Sequence, residues 1–277
     1  MKYLKGLLNF YINSSIHVAL AAYALTWVTL IQLHLEYEES SLYFVFYGTI
    51  VAYNFVKYFG LVKFHHRKFT SSLQGIQIIS ALAFTAMFYY VIQLNSTSLI
   101  LAGVITVITF FYAIPFVPKR LLFDEQRNLR QISGLKIYVI ALVWALTTVL
   151  LPIINNSIEI NTDVVISFVQ RGLYVIVLML PFEIRDLKYD NLKLATVPQK
   201  IGVRNTKLLG SALLLMFVLC EMLKSNTYLE QVIITAVLSF ITLLLLLLAS
   251  KNQSNYYSAF WVEGLPILWL LLLLVFG

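Results

Sequence analysis

Three carboxylates at spacings of three and four stand out in the stretch Pro181-Phe-Glu-Ile-Arg-Asp-Leu-Lys-Tyr-Asp190, namely Glu183, Asp186 and Asp190. If helical geometry runs through the stretch, all three share one face, because residues three, four and seven apart stack on successive turns. Hard oxygen ligands on one face suit Mg²⁺, which takes one or two protein carboxylates and completes its shell with water and substrate phosphates, so the matching ligand is a diphosphate. The same spacing also describes a solvated helix end whose acids pair with Arg185, Lys188 and Lys193. Spacing alone leaves both readings open.

A second polar stretch, Tyr53-Asn-Phe-Val-Lys-Tyr-Phe-Gly60, is followed by Lys63, His65, His66, Arg67 and Lys68 and contains no acid. Asn54, Lys57 and Tyr58 fall on one helical side, and an ionisable Lys57 close to apolar sequence is costly unless it faces a cavity or a partner, or snorkels to the headgroups. Adjacent His65 and His66 lack the i, i+4 spacing of a helical metal pair and read as solvated loop residues. His17 and Arg171 lie in or near apolar segments, where each either lines a cavity or hydrogen-bonds a neighbouring helix. Nucleotide-binding glycine loops, nucleophile elbows and Cys/His metal clusters are absent from the sequence. The single cysteine, Cys220, forms no internal disulfide and reads as packing.

The elements that must position these residues are written in the composition. Of 277 residues, 60% are hydrophobic and 12% charged, and the mean hydropathy is +0.83. That excess of apolar side chains fits lipid as solvent. A bilayer core needs about 20 apolar residues per helix, and alternating strands of a barrel are not seen. Nine stretches qualify: Ile16–Leu33, Leu42–Leu61, Leu73–Leu94, Leu99–Val117, Leu135–Ile154, Val164–Glu183, Lys207–Leu223, Leu229–Ala249 and Tyr257–Phe276. The expected architecture is an all-α polytopic membrane protein of about nine transmembrane helices, forming one integral domain over residues 1–277.

Arg and Lys gather in alternate connections: Lys2 and Lys5, then Lys63 to Lys68, then Lys119 to Lys136, then Arg185 to Lys207, then Lys251. The intervening connections carry Glu36, Glu38 and Glu39, then Asn95 to Ser98, then Glu159 and Asp163, then Glu230. Positive connections stay inside, which predicts a cytoplasmic N-terminus, a C-terminus on the outer side and a chemically active cytoplasmic face. The net charge of +7 follows from this asymmetry and from attraction to anionic membrane lipids, so no nucleic-acid partner is expected. No removable signal peptide is expected, because Asn13, Ser14 and Ser15 interrupt the first apolar run.

Together these residues resemble the UbiA superfamily of intramembrane prenyltransferases, over most of the chain. Glu183 to Asp190, followed by Thr196-Val-Pro-Gln-Lys-Ile-Gly202, is similar to that family's second motif, D-x-x-D-x-x-x-D with a trailing T-x-P-x-x-x-G. Phe111-Tyr-Ala-Ile-Pro115, Gly134 to Trp144 and Glu263-Gly264 resemble further family features. The resemblance implies nine helices around a central cavity. It also implies Mg²⁺ held by Glu183, Asp186 and Asp190 against a prenyl diphosphate, and a lipophilic acceptor such as an aromatic or quinone precursor. Asn54, Tyr58, Arg185, Lys63, Arg67 and Lys188 would then bind substrate.

The chain departs from the family at the first motif, N-D-x-x-D-x-x-x-D. Aligning its asparagine with Asn54 puts Phe55, Tyr58 and Val62 where carboxylates belong. Lys57 then either supplies charge directly to the diphosphate, acting beside Asp186 and Asp190 in catalysis, or fills the metal site as an ion pair with Asp186 or Asp190. The first alternative predicts a transferase, and the second a relative that binds an isoprenoid or quinone without transfer. A transporter, with Lys57, Arg171 and the acidic cluster as an ion-coupled path, is the reading from another class.

Overall fold

The computed structural model describes residues 2–58, 71–113, 134–188, 195–225 and 228–277. Asp190, Lys63, Arg67, His65 and His66 lie outside these described residues. Among them every regular element is a helix.

Helix α1 (Lys2–Asn13) precedes α2 (Ile16–Gln32), and the pair is bent by 58°. The bend is made at Ser15, whose backbone is left-handed at φ 65°. Then follow α3 (Glu39–Tyr58), α4 (Ser71–Val91) and α5 (Ser96–Ala113). The next span is α6 (Lys136–Ala145), a π turn (Leu146–Leu150) and α7 (Leu151–Asn155). After α8 (Thr162–Asp186), α9 (Val197–Met222) and α10 (Leu229–Leu248), the last span is a π turn (Tyr257–Val262) leading into α11 (Leu265–Phe276).

Each of the nine expected spans falls on a helix. Seven helices are long and apolar enough to cross a membrane, and counting the bent α1 and α2 together gives eight. α3 falls outside that set because it carries Glu39, Asn54, Lys57 and several hydroxyls, yet it packs between α2 and α4. The seventh expected span, Lys207–Leu223, belongs to a helix that begins ten residues earlier. Gln199 Oε1 accepts the Thr196 N–H at 3.0 Å there, and Gly202, at φ 78°, breaks the winding before the apolar part.

The ends are held by caps, as lipid requires of a backbone that has no water to fall back on. Asn161 accepts the Val164 N–H at 3.0 Å to start α8. Glu38 accepts the N–H groups of Ser40 at 3.0 Å and Ser41 at 2.9 Å to start α3.

α2 is the most enclosed element, with Ala19, Ala21, Ala22 and Ala24 all buried. Small residues let α3, α11 and the first π turn approach it closely. Beside it the rings of Tyr174, Phe217 and Trp269 pack at centroid distances of 4.8 to 5.4 Å. Arg171 closes this core: it donates to the Leu25 carbonyl at 2.6 Å and to Thr29 at 3.1 Å, and lies 5.3 Å from the centre of the Trp269 ring.

Candidate functional site

α3, α5, α6, α8 and the last span surround a cavity of about 1420 Å³, with α1 across one end. Its depth is apolar, walled by residues such as Phe44, Ile105, Val143 and Leu178. Aromatic side chains, among them Tyr53, Phe55, Phe110, Trp144 and Phe182, also line it. The Trp144 indole donates to the Tyr53 hydroxyl at 3.2 Å, fixing both rings.

Among the described residues, charge on the cavity wall is confined to the end where α1 begins, α3 and α8 finish and α6 starts. Lys5, Lys57, Lys136, Arg185, Asp186 and Glu263 line the cavity there. The opposite end of the bundle holds Glu38, Glu39, Glu159, Asp163 and Glu230, together with a buried ion pair between Lys224 and Glu221 at 2.9 Å.

Of the α8 motif, Asp186 meets the cavity beside Arg185, whose Nε donates to Asp186 Oδ1 at 2.7 Å. Arg185 also donates to Ser258 of the last span at 2.8 Å and lies over the Phe182 ring. Glu183, expected on the same face, is instead 2% exposed and absent from the cavity wall. One of its oxygens accepts the N–H of Val197 at 3.1 Å, so this carboxylate serves the start of α9. Its position three residues before Asp186 would suit a shared ligand set, but the exposed N-terminus of α9 claims it first. Lys188 is exposed in the turn after α8. Among the described residues no group of three His, Cys, Asp or Glu side chains is placed to hold a metal.

On α3 the three residues expected to act together separate. Asn54 is 4% exposed and fully engaged: it donates to the Ser14 carbonyl at 3.0 Å and to Ser80 at 2.8 Å, and accepts from Ser15 at 2.8 Å. Tyr58 donates to the Asn13 carbonyl at 3.1 Å. Both therefore tie α3 to the bend between α1 and α2, and neither lines the cavity. Lys57 does line it, held by a 2.9 Å hydrogen bond to Ser15 Oγ. The expected pair between Lys57 and Asp186 is not formed; Asp186 takes Arg185, and Lys57 faces Glu263 electrostatically.

Glu263 was not among the residues expected to form the site. A lone acid inside the apolar run from Tyr257 to Phe276 is the signal that could have found it, since a charge there is costly without a cavity or a partner. Gly264 lets it sit where it does: a Cβ there would lie 2.8 Å from the Phe260 carbonyl and 3.5 Å from the His17 ring. His17 is structural. Its Nε2 donates to the Phe260 carbonyl at 2.9 Å, which leaves Nδ1 to accept from the Tyr11 hydroxyl at 3.0 Å. Arg171, sealed in the core, does not join Lys57 and Asp186 in the cavity, so the charged path of the transport reading is not formed by these residues.

A helical bundle with a chamber that is apolar within and charged at one mouth defines a polytopic membrane protein. No family profile matches the sequence, and no curated protein matches it significantly. Solved structures do. A structure of digeranylgeranylglyceryl phosphate synthase in membranes is 14% identical, with a TM-score of 0.58 over 100% of this chain and 99% of that one. The apo structure of a UbiA homolog from Aeropyrum pernix K1 is 12% identical, with a TM-score of 0.60 over 94% of this chain and 96% of that one. The chain has the fold of the UbiA superfamily.

Proposed function

We propose that the chain is an intramembrane prenyltransferase that moves an isoprenyl group from its diphosphate to a lipophilic acceptor. The observation that carries this is the cavity itself: about 1420 Å³ of mostly apolar space whose charged groups all sit at one mouth. A prenyl diphosphate has the same division, an apolar chain and an anionic head. The chain would fill the depth and the diphosphate would meet Arg185, Asp186 and Lys57.

In the reaction the allylic carbon–oxygen bond breaks and its electron pair leaves with the diphosphate. The acceptor then attacks the allylic carbon and loses a proton. Faces of Tyr53, Trp144 and Phe182 are available to a developing cation. Charge accumulating on the leaving group calls for fixed positive groups nearby, which Arg185 supplies.

Mg²⁺ suits what is left of the second motif. Asp186 keeps one oxygen clear of Arg185 in the described contacts, and an ion of this kind takes one or two carboxylates plus phosphate oxygens. Asp186, with Asp190, would hold it, and it would supply charge stabilisation to the departing diphosphate. Lys63, Arg67 and Lys188 would draw the anionic head to the mouth. By the excess of Lys and Arg at that end, the mouth faces the cytoplasm, with the N-terminus on the same side and the C-terminus opposite.

The test is purified protein incubated with Mg²⁺, radiolabelled prenyl diphosphates of graded length and a panel of aromatic and quinone-precursor acceptors. Labelled lipophilic product is the expected result. A second reading, binding without transfer, is favoured by Glu183 being occupied at α9. Tight binding of the prenyl diphosphates with no product from any acceptor would establish it over the transferase.

A further inference from the structure

Glu263 is the carboxylate for which the motif has no use. Its side chain makes no hydrogen bond among the described residues, yet it lines the cavity beside Lys57 and Arg185, and its charge acts on both. Gly264 and the preceding π turn fix its place, so its orientation is part of the backbone's design and not a flexible excursion.

Lys57 is equally built. An ammonium has three donors, and one goes to Ser15 Oγ at 2.9 Å, whose own hydrogen is given to Asn54 at 2.8 Å. Its ammonium makes no further hydrogen bond among the described residues, and Lys57 and Glu263 interact across the cavity without closing an ion pair. Among the described residues of this helix end no carboxylate accompanies Lys57: Phe55 stacks on Phe110 and Tyr58 donates to the Asn13 carbonyl.

We infer that Lys57 is a metal-independent site for the diphosphate end of the substrate and that Glu263 is its exchangeable counter-ion. When the cavity holds no diphosphate, Glu263 balances the ammonium; an arriving diphosphate takes the free N–H groups and competes with Glu263 for the same charge. The arrangement anchors the Lys57 side chain at the head of the cavity, where a bound ion would have to be recruited. This rests on the proposed diphosphate substrate.

Binding of radiolabelled farnesyl thiodiphosphate, an unreactive prenyl diphosphate analogue, to the purified full chain in EDTA tests it. Wild type is expected to bind, with inorganic pyrophosphate competing. Lys57→Met should weaken binding by about tenfold or more and Lys57→Arg should keep most of it, as expected when a charge-assisted contact is lost or retained. Glu263→Gln should tighten binding by about threefold or more, because a competing anion is removed.

No binding by wild type in EDTA, equal binding by Lys57→Met, or unchanged or weaker binding by Glu263→Gln would each overturn the inference. If Lys57→Met fails to fold, the direction of the Glu263→Gln change decides alone. A wild type that transfers prenyl groups with Mg²⁺ but binds nothing in EDTA refutes this inference and leaves the proposed function standing. Binding in EDTA without transfer to any acceptor does the reverse.

Discussion

Ser15 donates its hydroxyl to Asn54 Oδ1 at 2.8 Å, and through that contact the bend between α1 and α2 is locked to the cytoplasm-facing end proposed for α3. The same hydroxyl accepts from Lys57. Asn54 thus sets the position of a cavity residue without entering the cavity.

Asn54→Ala should therefore act on stability first. It takes the Asn54 partner from the buried Ser14 carbonyl and the buried Ser15 hydroxyl, at a cost of about 2 kcal/mol. Thermal unfolding in detergent should show a lower midpoint, and diphosphate binding should fall because Ser15 no longer holds Lys57 in one place. An unchanged midpoint would mean that the bend is held by other contacts.

Asp186→Asn separates charge from shape. The amide oxygen can still accept from Arg185 Nε, so the unfolding midpoint should stay within a degree or two of wild type while prenyl transfer drops by about 100-fold or more. Transfer at the wild-type rate would remove Asp186 from the mechanism.

Lys224 and Glu221 give the opposite pattern. Glu221 also accepts from Gln32 at 3.1 Å and from Gln170 at 2.7 Å, far from the charged mouth. Lys224→Met would leave a buried carboxylate without its cation, costing about 3 to 5 kcal/mol. Unfolding in detergent should report the loss, with diphosphate affinity of the folded fraction unaltered.

Glu38 predicts an acid limb. Burial by itself would raise its carboxyl, but hydrogen bonds from Ser40, Ser41 and Asn155 outweigh this and hold it below the ordinary value of 4.5. A carboxyl lowered on folding stabilises the fold above its unfolded value, and that contribution is lost as pH falls through the folded value. Melting midpoints of wild type should thus decline from about pH 5 downward, and Glu38→Gln should start lower and show a shallower decline. Parallel pH curves for the two proteins would contradict the assignment.

The helices were legible because a run of about twenty apolar residues admits few alternatives in lipid. The resemblance around Asp186 was legible for a similar reason, since a charged cluster closing an apolar run has to sit at a membrane boundary. What spacing does not encode is competition. Glu183 has the right interval from Asp186, but the N–H of Val197, fourteen residues on, is an unsatisfied donor and takes it. Asn54 has the right interval from Lys57, but a left-handed Ser15 and a helix from elsewhere in the chain consume every polar atom it has. Glu263 went the other way: a lone acid in an apolar run asks for a partner or a cavity, but only the enclosing helices show that its face is interior.

The π turn at Tyr257–Val262 ends one residue before Glu263. A turn of this kind holds an additional residue, and each residue of a regular helix advances the winding by about 100°. Which side of the last span becomes the chamber wall is therefore a matter of counting. Deleting a single amino acid from that segment would swing Glu263 out of the lumen while leaving every side chain's chemistry intact, so an evolving sequence can retune this face by length where point changes would leave it aimed as before.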